Sequence, residues 1–388
     1  MRDVTLVAVA SAGHSGSTLL DVLLGNHSRV CSAGEMNRLT LHAPDRVCAC
    51  GATVTACDYW NRVRAVITRE RRQASRLRWD ECHTDLPPQQ PILRLSGVLG
   101  EPLVDGEAIP SELRARLAAA GVSVGEGATV TRRGVRDFKW RLKDPASDRL
   151  LILRNGEECL EVYDPEVRWK KPLRIVPEPL EVSLALGTAS AVSMVRALSP
   201  RAASYAQIAE NSWAVADAMA EVSNARYVID SSKSPVRLKL LYMLRPERMR
   251  ILHLVRDGRA VAASAMRRHD NMSAAMAARI WKRDNQNLRM MLRTVPDRLK
   301  LGVRYEALCE DPAAELRRVC EFLQLEFDPA MLTLWSRPVH NIPGNPMLFN
   351  RSQRAIRKDE RWRRDLSETD IQAFERAAGR LNRAFGYI

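Results

Sequence analysis

Apolar residues fall along this chain in two rhythms. Thr5 to Ala10 is a short run of β-branched and small apolar residues, closed by a Ser/Gly cluster. A run apolar on both faces fits a strand buried inside a parallel sheet. Ser17 to Leu24 then takes helical spacing, so the chain reads strand, loop, helix, and Arg29 to Ser32 supplies a second strand. The alternation returns later. Tyr205 to Val222 reads as a helix, Arg226 to Asp230 and Arg250 to Val255 as strands, and Ala260 to Met266 as a helix of small residues. A long helix over Ser273 to Leu292, a strand over Leu301 to Tyr305 and a helix over Pro312 to Leu323 follow. This order predicts an α/β protein with a parallel sheet flanked by helices, binding its ligands beyond the strands' carboxyl ends.

Between about Pro87 and Pro200 the pattern weakens. Prolines, glycines and charges alternate, and only pieces such as Leu150 to Leu153 look strand-like. The expectation is one domain with its core in residues 1–60 and 205–365. An irregular, partly helical insertion over about 85–204 lies on the acceptor side, and a helix over 366–388 ends the chain.

Composition narrows the classes. Of 388 residues 46% are hydrophobic and 27% charged, which excludes wholesale disorder. Lys and Arg number 60 against 46 Asp and Glu, a formal charge of +14 that favours an anionic partner. No apolar run reaches the roughly 18 residues that span a bilayer. The apolar start of the chain is too short for a signal peptide, and cleavage would destroy the loop that follows, so a cytoplasmic location is expected. Eight cysteines are too few to build a scaffold of this size from disulfides.

Two segments at strand ends carry candidate phosphate chemistry. Ser11 to Thr18, SAGHSGST, joins the first strand to the first helix. Its glycines permit a turn with inward N–H groups, and the helix dipole adds positive potential. Ser15, Ser17 and Thr18 supply further donors. The lysine of a GxxxxGK[ST] loop is missing, which disfavours an ordinary Mg-ATP site. In the second segment, Arg256-Asp257-Gly258-Arg259 ends a strand and opens a helix, and Ser264 follows eight residues after Arg256. Both arginines offer forked donors suited to phosphate, unless Arg256 pairs with Asp257 or another acid as a structural bridge. Two such sites on one sheet fit a ligand with phosphates at its 3′ and 5′ ends.

These two segments in this order resemble sulfotransferases that use 3′-phosphoadenosine 5′-phosphosulfate (PAPS). SAGHSGSTLL is similar to the family's 5′-phosphosulfate loop, [RK]SG[ST]T, and LVRDGRAVAAS to its 3′-phosphate segment. IDSSKSP resembles the lysine segment between them, and GEMNR at Gly34 to Arg38 resembles the GEETR segment of protein-tyrosine sulfotransferases. VRYEALCEDP and HNIPGNP look like the C-terminal half of bacterial members. The resemblance implies a P-loop-like fold and metal-free, in-line transfer of a sulfuryl group to an acceptor hydroxyl, leaving 3′,5′-ADP. It implies nucleotide binding by Gly13, His14, Ser15, Gly16, Ser17, Thr18 and Leu19, by Arg256 and Ser264, and by Tyr305, while Arg357 or Lys358 is expected to close over the 3′-phosphate from the C-terminal segment. It implies catalysis by Glu35 as base, Lys233 as the cation following the sulfuryl group, and His14.

His14 departs from the pattern, which has Arg or Lys before Ser15. It is expected to take the basic role, charged by the anion it faces, with a rate that falls as pH rises. Leu348 stands where the family tends to carry Arg, which removes a phosphate contact there. Asp230 is expected to hold Ser231 or Lys233, and Trp281 reads as core rather than as a partner of adenine. His42 is the alternative base.

Cys48, Cys50 and Cys57 in CACGATVTAC leave three readings open: zinc with Cys31, Cys82 or His83 as fourth ligand, a disulfide, or free thiols. The site residues include no metal ligand. The arginine-rich stretches at 69–72 and 361–364 read as solvated faces, and no nucleic-acid partner is expected. The acceptor is a hydroxyl of a small molecule, lipid, sugar or peptide. The rivals are a nucleotide kinase, which needs Mg²⁺ and a triphosphate, and a polyanion-binding protein.

Overall fold

In the computed structural model, residues 4–39, 47–74, 93–96, 103–132, 139–145, 149–155, 159–163, 200–269, 272–349 and 355–388 are described. The chain divides into two compact units, one of Met1–Leu86 with Ile175–Ile388, the other of Pro87–Arg174.

The larger unit is built on five strands: β1 (Thr5–Ser11), β2 (Val30–Gly34), β8 (Tyr227–Asp230), β9 (Met249–Val255) and β10 (Lys300–Arg304). They lie in the order β10-β9-β1-β8-β2, and every neighbouring pair is parallel. Successive residues of β1 enter different cores. Leu6, Ala8 and Ala10 pack with Trp60, Trp213 and Val228, whereas Val7 and Val9 pack with Leu20, Leu23 and Val319. Both faces are therefore apolar, which explains why the strand reads as an unbroken run. Helices Ser17–Gly25, Asp58–Ala74, Pro200–Ser223, Pro235–Leu244, Gly258–Arg268, Ala274–Leu292 and Pro312–Leu323 fill the intervals, and Glu368–Ala384 ends the chain. The last is fixed at its start by a reciprocal Ser367/Asp370 capping box. Trp281 lies in the core against Phe374 and Phe385.

The smaller unit replaces the irregular stretch with a sheet. Strands β3 (Leu93–Ser96), β4 (Thr129–Arg132), β5 (Lys139–Asp144), β6 (Arg149–Asn155) and β7 (Cys159–Tyr163) pair antiparallel in the order β3-β7-β6-β5-β4. Alternate residues Leu151 and Leu153, Leu160 and Val162 are buried with Leu113 and Leu117 of the helix Ser111–Ala119. Strands this short, with charged residues between their apolar ones, give a weak signal along the chain. Among the described residues, no helix is long and apolar enough to cross a membrane.

Candidate active site

The loop after β1 is shaped by its backbone. His14 and Gly16 both adopt positive φ, 61° and 92°. At Gly16 a side chain is excluded twice: the conformation is left-handed, and a Cβ would strike the ring of Tyr305. Gly16 is also the N-cap of Ser17–Gly25, and no side chain caps that helix. Its first-turn N–H groups therefore have no intrahelical partner and open onto the loop. Ser15 and Ser17 are buried. The Leu19 side chain enters the core.

The segment after β9 closes on this loop. Arg256 donates from one terminal nitrogen to the His14 carbonyl at 3.1 Å and from the other to the Asp359 carbonyl at 2.9 Å. Its guanidinium lies 4.2 Å from the centroid of the Tyr305 ring, and the Tyr305 hydroxyl accepts from Asp359 N at 3.2 Å. Ser264 Oγ is 3.3 Å from His14 Nδ1. Both predicted phosphate elements thus meet at His14.

Arg259 has a different fate from Arg256. It forks onto Asp257, with its closest contact at 2.8 Å, and stacks on Trp362. Both arginines thus meet an acid, Arg259 its neighbour Asp257 and Arg256 the distant Asp359, whose carboxylate lies 3.4 Å from its guanidinium. Arg357 is exposed. Its neighbour Lys358 is engaged by Glu310 and Glu360.

His14 sits among cations. Burial, then the charges of Arg268, His269, Lys233 and Arg256, push it down to about 4. These protein groups alone keep the ring neutral near pH 7, so the expected charge must come from a bound anion.

The second corner lies beyond β2 and β8. Lys233 Nζ donates to Glu35 Oε1 at 2.5 Å, and Arg38 Nε lies 3.0 Å from Glu35 Oε2. One cation on each oxygen fixes the carboxylate's plane. The backbone supports it too: Glu35 N donates to the Ile342 carbonyl at 2.9 Å, and Gly344 lies so close to the carboxylate that a Cβ would overlap it.

Asp230 does not hold Ser231 or Lys233. It accepts from the backbone N–H of Ser232 at 2.9 Å and pairs with buried Arg237 at 3.0 Å, while Ser231 donates to buried Asp21. Burial raises Asp21 to about 7. His42 lies outside the described residues. Leu348 is buried in the core, consistent with the loss of a charged role there.

The cysteines also gather in this unit. Cys48, Cys50, Cys57 and His340 place one ligand atom each within 4.8 Å of the others. The Cys50 and Cys57 sulfurs, 3.7 Å apart, are not bonded. Cys31 is buried beside Tyr59 and Ser223 instead, and Cys82 and His83 lie outside the described residues. Four arginines of the arginine-rich stretches pair with acids: Arg69 with Glu221, Arg361 with Asp359, Arg363 with Glu360 and Arg364 with Asp365.

Sequence reasoning missed four partners: Asp359, His269, Asp21 and His340. Each is far along the chain from the residue it serves, and no local spacing marks it.

A parallel α/β sheet with an anion-type loop after its first, central strand is a P-loop-like architecture. Residues 154–329, a little under half of the chain, match the model of the sulfotransferase family. The matched stretch holds Lys233, Arg256, Ser264 and Tyr305, whereas the loop after β1 and Glu35 precede it. No curated protein sequence matches the chain. Among solved structures, the sulfotransferase domain from the curacin biosynthetic pathway is 15% identical, with 99% of this chain and 98% of that one covered and a TM-score of 0.41. Sulfotransferase STF9 from Mycobacterium avium is 10% identical over 100% and 78% of the two chains, with a TM-score of 0.43. Mouse sulfotransferase SULT7A1 complexed with PAP is 16% identical over 39% and 64%, with a TM-score of 0.29.

Proposed function

We propose that the protein transfers the sulfuryl group of PAPS to an acceptor hydroxyl, releasing 3′,5′-ADP. The observation that carries this reading is the meeting of two anion-type elements at His14, through Arg256 to its carbonyl and Ser264 to its ring. A ligand with phosphate at only one end leaves one of them unexplained. The uncapped helix behind Gly16 and the cradle that a Cβ there would fill fit an anionic group held by backbone N–H donors.

In this reading Gly13 to Leu19 hold the 5′ end through backbone N–H groups and the hydroxyls of Ser15, Ser17 and Thr18. Arg256 and Ser264 hold the 3′-phosphate, with Tyr305 fixing the guanidinium beneath it. Arg357, exposed on the segment that carries Asp359, closes from outside. The donor supplies an activated sulfuryl group on a phosphate leaving group. Glu35 takes the proton of the acceptor hydroxyl, and its two ionic partners aim it. Lys233 shifts from Glu35 toward the sulfuryl oxygen as charge builds there. His14 donates to the same region once its proton is stabilised. Placement and preorganised charge provide most of the rate.

The test compares thermal shifts with 3′,5′-ADP, 5′-ADP and Mg-ATP at equal concentration. Stabilisation by 3′,5′-ADP alone is expected, about 2.7 kcal/mol at a hundredfold excess over Kd. In Arg256→Ala it should shrink to about 0.4–1.4 kcal/mol, the value for a 10- to 100-fold weaker Kd. Stabilisation by Mg-ATP instead, or by none of the three, overturns the reading.

A further inference from the structure

The four-residue cluster of Cys48, Cys50, Cys57 and His340 belongs to neither phosphate element, and its geometry is that of a coordination shell. Cys50 Sγ is 3.7 Å from Cys57 Sγ, Cys57 Sγ is 3.4 Å from His340 Nδ1, and Cys48 Sγ is 4.0 Å from the same nitrogen. Ligands at about 2.3 Å (sulfur) and about 2.0 Å (nitrogen) from a tetrahedral zinc ion stand roughly 3.5–3.8 Å apart. A disulfide needs about 2.05 Å between sulfurs. The Cys50 and Cys57 sulfurs are unbonded at 3.7 Å, the three separations of 3.4–4.0 Å lie near the tetrahedral values, and all four ligand atoms fall within 4.8 Å of one another. We infer that Cys48, Cys50, Cys57 and His340 bind a structural Zn²⁺ ion that clamps the turn after β2 onto the segment backing Glu35.

The chemistry of the donors selects the metal. Three thiols and an imidazole suit zinc, whereas Mg²⁺ and Ca²⁺ prefer oxygen. All four positions are filled by protein, the mark of a structural rather than a catalytic zinc site. Binding releases the three thiol protons to solvent and leaves a Zn(S⁻)₃N centre with net charge −1.

The surroundings are shaped for it. Cys48 N donates to the Ala52 carbonyl at 2.8 Å and Gly51 N to the Cys48 carbonyl at 2.9 Å, a tight turn that presents two cysteines on one side. The Tyr59 ring stacks on His340, 5.2 Å between centroids and 19° between planes, which sets the imidazole's orientation. Ala49 N donates to the Asn341 carbonyl at 3.0 Å, so the two segments already touch beside the cluster.

Beyond His340 the chain runs directly to the candidate base. Ile342 N donates to the Ala33 carbonyl at 3.1 Å, the Ile342 carbonyl accepts from Glu35 N, and Gly344 abuts the Glu35 carboxylate. A metal tying His340 to the cysteine turn therefore stiffens the strip on which Glu35 rests. Lys233 and Arg38 orient the carboxylate from the other side.

The experiment is metal analysis of the full chain purified under reducing conditions without chelator, followed by Co²⁺ titration of the zinc-free protein. One zinc per chain and the intense visible bands of a tetrahedral cobalt–thiolate site, bleached by added Zn²⁺, are expected. Cys57→Ser should weaken zinc by more than the roughly 10–100-fold that outer-shell changes cause. His340→Cys should keep the metal with altered cobalt bands, which separates a lost ligand from a misfolded variant. Zinc removal should speed hydrogen exchange at the Glu35 and Ile342 amides, and unchanged exchange would overturn the clamp. Absence of zinc together with absence of cobalt bands in the wild-type protein would overturn the site. So would an intact mass lower by two hydrogens, with a Cys50–Cys57 bond, in freshly lysed cells. Metal content should be the same in Arg256→Ala, so this inference and the PAPS reading fail or stand separately.

Discussion

The two corners that carry the candidate chemistry lie at the ends of strands in one sheet, yet they are built in opposite ways. After β1 the working surface is mostly backbone: two left-handed residues, an uncapped helix start, and a guanidinium held by carbonyl oxygens and a ring. After β2 it is side chain against side chain, with Glu35 closed between Lys233 and Arg38. The difference teaches where each corner is vulnerable. A backbone cradle survives exchange of a side chain, as His14 in place of a fixed cation illustrates, but does not tolerate a change of local geometry. A carboxylate set between two cations depends on its charge, because a neutral amide there turns an NH2 donor toward one of the two cations.

The largest effect should separate the two corners outright. Glu35→Gln removes the candidate base and one of its two ionic contacts, so if Glu35 takes the acceptor's proton turnover should fall about 10²–10⁴-fold. Affinity for 3′,5′-ADP, measured by calorimetry, should not change. A parallel loss of affinity would show that the corners are not independent.

Arg256→Ala attacks the point where the nucleotide elements meet. Charge-assisted hydrogen bonds contribute about 1.5–3 kcal/mol each, so a 10- to 100-fold loss of 3′,5′-ADP affinity is expected. The loss should be much smaller for 5′-ADP, which lacks the 3′-phosphate. Equal losses for both ligands would place Arg256 at the 5′ end instead.

Gly16→Ala tests the backbone cradle. A left-handed conformation costs a non-glycine residue roughly 1–2 kcal/mol, and the new methyl must also displace the Tyr305 ring. A lower Tm and weaker nucleotide binding should appear together. A fully stable variant would show that the loop relaxes more easily than its contacts imply.

The smallest effect concerns pH. With His14 held at about 4, an anion bound beside it raises that value, so binding takes up a proton. Affinity should therefore rise as pH falls toward 4, by at most about tenfold per pH unit. Activity should fall as pH rises if transfer uses the charged ring. His14→Arg should flatten both profiles, and an unchanged profile would remove His14 from the reaction.

Much of the first corner could be read in the chain because its requirements are local. A β-branched run, a glycine turn and an uncapped helix start are adjacent residues, so SAGHSGST carries them in one stretch. The same holds for Arg256 and Ser264, which share one helix start. The second corner was legible only in its members. Glu35 and Lys233 were named separately, but their direct contact joins residues nearly 200 positions apart. The smaller unit was least legible, because its strands are short and its buried leucines and valines alternate with charged residues over only a few positions.

What the sequence by itself determined is the alternating α/β order and the glycine-rich loop without a Walker lysine. Backbone conformation and side-chain periodicity depend on neighbours in the chain, and those are written next to each other. Only the tertiary structure decided which arginine of RDGR serves the loop and which is taken by Asp257. It also decided that Asp230 serves Arg237, that burial and then surrounding cations hold His14 neutral, and that His340 joins cysteines some 280 residues earlier. Those outcomes depend on which strand ends the sheet order brings together, and packing sets that order through contacts that no local spacing records.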